Sequence, residues 1–125
     1  MKLIDSSSWI HALRKSGDSC IRKRVQDLLL SDEAAWCHII RVELWRGAKE
    51  KAEVGYLKEL EANLTLLPLN LDVWNAACKL GQMCRKNGKP VPTTDIIIFA
   101  CAITHEVEIE HCDKHMDTLL KLSSS

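Results

Sequence analysis

The sequence predicts one α/β domain, a parallel sheet of short strands with helices on both faces. Three observations predict it. Short apolar runs alternate with longer segments of helical period along the whole chain. The apolar share of 46%, with 27% charged residues, suits a packed core. A chain of 125 residues suffices for one domain and is too short for two.

The elements follow in order. Leu3-Ile4 reads as a buried strand that ends at Asp5, and the hydroxyls of Ser6 to Ser8 are expected to cap a helix through "WIHALRK". Gly17 ends that helix. "SCIRKRVQDLLLS" reads as the next, with Ile21, Val25, Leu28 and Leu29 on one face. "AAWC" reads as a strand, and "IIRVELWRGAKEK" and "EVGYLKELEANL" as helices. "LTLLPL" is limited by its proline and reads as a strand near an edge. "LDVWNAACKLGQMCRK" keeps Val73, Ala77, Leu80 and Cys84 in helical register, and Asn87-Gly88 with Pro90 stops it. "TTDIIIFACAITHE" is apolar all round, as a buried helix should be, with Thr93 or Thr94 available as its cap. "VEIEHC" alternates as a last strand, and "HMDTLLKL" is a short terminal helix. One domain over 1–122 with a frayed serine tail at 123–125 is expected.

The 17 basic and 17 acidic residues balance, which argues against a general nucleic-acid coat but allows one local patch. No leader-like start and no apolar run long enough for a membrane span are present, so a cytoplasmic protein is expected. The six cysteines form no CxxC pair, which argues against zinc. Most sit among apolar neighbours and read as small buried hydrophobes.

Four acidic residues stand where the local pattern does not ask for them. Asp5 follows the first strand, where open α/β sheets bind ligands; its alternative is a helix cap. Glu43 shares a helix face with Ile39, Ile40 and Gly47, and a buried carboxylate is costly unless paired or metal-bound. Its alternative is an ion pair with Arg46. Asp95 lies in the first turn of the apolar helix, where the dipole alone favours an anion. Asp113 follows the last strand and has a turn residue as its alternative. In a parallel sheet all four reach one edge. Carboxylates gathered there repel by about 4 kcal/mol per pair at 4 Å and an effective dielectric of 20. Such a cluster makes a poor brace and a good site for Mg²⁺ or Mn²⁺.

With these residues in place, "LIDSSSWIHALR", "HIIRVELWRGA" and "TTDIIIFACAITHEVEIEHCDKHMDTL" resemble, in order and spacing, the PIN-domain family and within it the VapC-type toxins. The resemblance implies that Asp5, Glu43, Asp95 and Asp113 form a metal-binding and catalytic quartet. It implies that Ser7 and Thr94 help organise it, with Asp117 as a further acidic neighbour. It implies a sheet of about five strands and Mg²⁺- or Mn²⁺-dependent endoribonuclease activity leaving 5′-phosphate and 3′-hydroxyl ends. It also implies a small antitoxin partner and a homodimer. "VEIEHC" is more acidic than the apolar strand of the family pattern, and Met116 stands where a Phe is common.

No histidine base is needed for this chemistry; His115, two residues from Asp113, could touch the site but reads first as a structural or exposed residue. Arg14 and Arg46 are candidates for RNA phosphates, as are Lys86 and Lys89. Trp9 and Trp45 read as packing residues. A receiver-type phosphoacceptor domain is disfavoured, because only Asp5 lies near the first strand and no Asp occurs between Asp32 and Asp72. An aspartyl-nucleophile phosphatase would need Asp at position 7, which is Ser. The other reading is a PIN-like module that binds RNA or protein without cutting.

Overall fold

A computed structural model describes residues 1–124. Its elements are β1 (Lys2–Ile4), α1 (Ser6–Leu13), α2 (Ser19–Leu30), β2 (Ala34–Trp36), α3 (His38–Gly47) and α4 (Lys51–Asn63). β3 (Thr65–Leu66), α5 (Leu71–Lys86), α6 (Thr93–Thr104), β4 (Glu108–Glu110) and α7 (Lys114–Ser123) follow. All strand pairs are parallel, in the order β3-β2-β1-β4. Leu3 stands opposite both Ala35 and Ile109. The described residues hold four strands, one fewer than the resemblance implies.

The two inner strands show why the sheet is covered twice. Leu3, Ile4, Ala34, Ala35 and Trp36 are all buried, although neighbouring residues in a strand face opposite sides. α5 packs on α6, with α7 against both, while α1 meets α2 and α3. Ile98, Phe99, Ala100, Cys101 and Ala102 are almost wholly enclosed, so α6 is the buried helix its composition predicts. The "LTLLPL" segment lies at one edge as β3.

At the other edge, β4 carries glutamates that the apolar pattern does not explain. Each has a cation: Lys2 lies 3.4 Å from Glu108, and Arg24 pairs with the buried Glu110. Met116 is fully buried and fills its place in the core.

Several local expectations change. Asp5, not a serine, caps α1 by accepting from the Ser7 amide, and the helix starts at Ser6. A carboxylate is at least as good a cap as a hydroxyl, which frees the serines for other contacts. α1 stops at Leu13, short of the expected Lys15. Neither Thr93 nor Thr94 caps α6; Pro92 holds that position without a side-chain bond. Three cysteines (37, 84 and 101) are buried, but Cys20, Cys78 and Cys112 are exposed, so apolar neighbours in sequence overstated their burial. Ser123 closes α7, Ser124 donates its amide to Leu120, and Ser125 of the expected tail lies outside the described residues. No described helix is long and apolar enough to cross a membrane.

Two glycines answer to geometry. Gly88 adopts φ of 62° just past the end of α5, and Lys89 N bonds Cys84 O at 2.8 Å across that stop. Gly17 lies directly against the His11 backbone, and a Cβ there would overlap the His11 carbonyl. Gly17→Ala is expected to cost about 1–3 kcal/mol, the usual cost of overpacking. Urea denaturation checks this, and a cost below about 0.5 kcal/mol would show that the α1–α2 turn yields freely.

Candidate active site

The site lies at the carboxyl ends of β1 and β4 and the starts of the helices beside them. Parallel pairing of these strands sets Ile4 opposite Glu110, and the Asp5 amide donates to the Glu110 carbonyl at 2.9 Å. The chain after β1 and the chain after β4 therefore leave the sheet side by side.

Asp5 is only 1% exposed. Its Oδ2 accepts from the Ser7 hydroxyl at 2.6 Å and the Ser7 amide at 3.3 Å. Its Oδ1 is buried with no hydrogen-bond partner. Burial pushes its pKa above the usual carboxylate range, with a smaller push from Asp113, against the Ser7 bonds. The Ser7 hydroxyl also accepts from the Cys112 amide at 3.2 Å, so it clamps the segment leading to Asp113 onto Asp5. Ser7→Ala is expected to cost about 2 kcal/mol, because the lost bond serves a carboxylate. Chemical denaturation reads this out, and an unchanged midpoint would mean that the clamp contributes nothing.

Glu43 meets Ser6, whose hydroxyl donates to Oε1 at 3.1 Å. Arg46 is exposed and forms no ion pair with it among the described residues, so that alternative falls. Glu43 is also shifted upward, first by burial and then by Asp5 and Asp113, with Ser6 opposing. Asp95 stands in the first turn of α6 and is pushed up to about 6, chiefly by burial and then by Asp113 and Asp5. Asp113 caps α7, its Oδ1 accepting from the His115 amide at 2.9 Å. Its own amide donates to His111 Nδ1 at 3.2 Å. Asp113 thus lies close enough to raise the proton affinity of Asp5, Glu43 and Asp95, and Asp5 adds to that of Glu43 and Asp95.

The tightest group was not the expected one. Ligand atoms of Asp95, Asp113 and His115 all lie within 4.8 Å of one another. The sequence held a signal for His115: in Asp-x-His at a helix start, the capping residue and the second helical residue leave the same turn. Asp117 is exposed and faces His111, with Oδ1 3.6 Å from Nε2, rather than joining this group. Thr94 is exposed beside Asp95 and forms no side-chain hydrogen bond among the described residues. Arg14 shares a small hollow of about 80 Å³ with Glu43. Lys89, Lys114, His115 and Thr118 line another of about 210 Å³.

Hard carboxylate oxygens, a buried oxygen without a donor and mutual repulsion are the features a divalent cation relieves. The donor set fits Mg²⁺ or Mn²⁺.

Among solved structures, the fold is similar to VapBC-1 from nontypeable Haemophilus influenzae, with a TM-score of 0.75, 19% identity and coverage of 96% of this chain and 92% of that one. It is similar to FitAcB from Neisseria gonorrhoeae, with a TM-score of 0.73, 18% identity and coverage of 95% and 92%. It is also similar to VapC20 from Mycobacterium tuberculosis, described as a sarcin-ricin loop cleaving toxin, with a TM-score of 0.67, 19% identity and coverage of 94% of each chain. At these identities the likeness is one of fold. No curated protein matches the sequence. The PIN domain family does match it, over residues 2–121. By that match, which spans nearly every element of the fold, the chain belongs to the PIN domain family.

Proposed function

We propose that this chain is a Mg²⁺- or Mn²⁺-dependent endoribonuclease, the toxin of a type II toxin–antitoxin pair, acting in the cytoplasm. The observation that carries the reading is the gathering of Asp5, Glu43, Asp95 and Asp113 with one buried carboxylate oxygen left without a partner. These four side chains would hold the ion, which supplies charge stabilisation at phosphorus and a more acidic water.

The chain's other residues position that set. Ser7 fixes the Asp5 carboxylate, and Ser6 fixes Glu43. The first turns of α6 and α7 present Asp95 and Asp113, and Thr94 and Asp117 flank them. Arg14 beside Glu43, and Lys89 and Lys114 beside His115, offer cations to the phosphates on either side of the cleaved bond. Arg46, on the same helix as Glu43, is a further candidate. Likeness to chains of solved toxin–antitoxin systems supports a small antitoxin partner, and the family resemblance supports a homodimer.

The test is a mixed RNA pool incubated with Mg²⁺ or Mn²⁺, with EDTA, and with Asp5→Ala. Cleavage is expected only with the metal and the unaltered chain. RNA bound but never cut would favour the non-catalytic PIN-like module instead.

A further inference from the structure

We propose that His115 is itself a metal ligand, a nitrogen donor added to the carboxylates, and that it makes the centre favour Mn²⁺ over Mg²⁺. The inference rests on the divalent-metal reading above and adds a ligand and a preference to it. The geometry comes first. Asp113 accepts the His115 amide, so both side chains spring from the first turn of α7. A ring nitrogen of His115 and carboxylate oxygens of Asp95 and Asp113 then lie within 4.8 Å of one another.

The second observation is independent of that distance. The other four histidines all have ring partners. His11 accepts from the Asp18 amide, His38 meets Arg41, His105 meets the Pro68 carbonyl, and His111 accepts from the Asp113 amide. Among the described residues, only the His115 ring makes no hydrogen bond, although it is half-buried. A half-buried imidazole with no hydrogen bond at either nitrogen, beside the carboxylates of Asp95 and Asp113, is matched by a cation that accepts nitrogen.

The preference follows from ligand chemistry. Mg²⁺ takes oxygen ligands and keeps its waters, whereas imidazole binds first-row transition ions. A carboxylate set with one imidazole still provides mostly oxygen, which Mn²⁺ accepts, and adds the one donor that separates it from Mg²⁺.

The test uses the full chain, freed of metal and titrated with Mn²⁺ or Mg²⁺, with pulsed electron paramagnetic resonance of the Mn²⁺ complex. The wild type should show coupling to ¹⁴N. His115→Asn should lose that coupling and weaken Mn²⁺ binding by at least about tenfold, with Mg²⁺ binding changed far less. His115→Asp, which replaces nitrogen by oxygen, should bind Mn²⁺ without the coupling. Bound Mn²⁺ with no ¹⁴N coupling in the wild type, or coupling that persists in His115→Asn, would overturn the ligand. Equal losses for the two ions would overturn the preference. A wild type that binds neither ion would overturn the divalent-metal reading itself.

Discussion

Asp95→Asn is expected to lower metal-dependent RNA cleavage on the order of a thousandfold while leaving the metal-free protein as stable as before, or more so. The loss follows from removing a charged ligand: several kcal/mol of charge stabilisation correspond to three or more factors of ten in rate. The stability half has a definite sign. Asp95 holds its proton up to about pH 6, mainly because it is buried and then because Asp113 and Asp5 stand near. A carboxyl whose pKa rises on folding contributes fully below its unfolded pKa and loses that contribution as pH climbs through the folded value. At pH 7 Asp95 therefore opposes folding, and Asn, similar in shape and uncharged, removes the opposition. Cleavage assays and thermal melts in EDTA check the two halves. A large fall in the metal-free melting temperature would count against a repulsive cluster, and retained cleavage against Asp95 as a ligand.

The second large effect is stabilisation by the ion. At a thousandfold excess over Kd, a ligand that binds only the folded chain adds about 4 kcal/mol, which for a domain of this size raises the melting temperature on the order of 15 °C. The gain should be larger at pH 7.5 than at pH 5. Asp5, Glu43 and Asp95 all have raised pKa values, so at lower pH protons compete with the ion for the same oxygens. Without metal, the melting temperature should fall as pH rises through about 6, where Asp95 ionises, with Asp5 and Glu43 acting in the same direction. Scanning calorimetry with and without EDTA at the two pH values measures this. A gain independent of pH would mean that the ion binds elsewhere.

What the sequence disclosed depended on how local the cause was. The inner strands were legible because every residue in them is apolar and buried, and α5 because its register and its Asn87-Gly88 stop are written in one segment. Although Asp5 and Asp113 also serve as the caps of α1 and α7, the placement of the four carboxylates towards one edge was legible from the parallel sheet. Their partners were not, since those are set by contacts across the fold. Glu43 was weighed against Arg46, its neighbour on the helix, but meets Ser6, 37 residues away. Ser7 was expected to help the site, yet its clamp on Cys112 joins residues 105 apart. Helix caps were open for a different reason: Asp5, whose alternative reading was a cap, competes with the adjacent serines, and Pro92 with the adjacent threonines, and sequence alone does not rank them. His115 carries little weight in sequence alone, because a lone helical residue near an Asp says nothing of how its turn is oriented.

The position of β1 between β2 and β4 has a consequence for synthesis. Ser7 is synthesised 105 residues before Cys112, whose amide steadies it, and Asp5 is made correspondingly far ahead of Asp113. Closing so long a loop is slow and comes late in folding. A nascent chain that has exposed β1, β2 and β3 has three of the four strands but only part of its acidic centre. A metal centre that needs Asp113 is therefore incomplete until β4 docks.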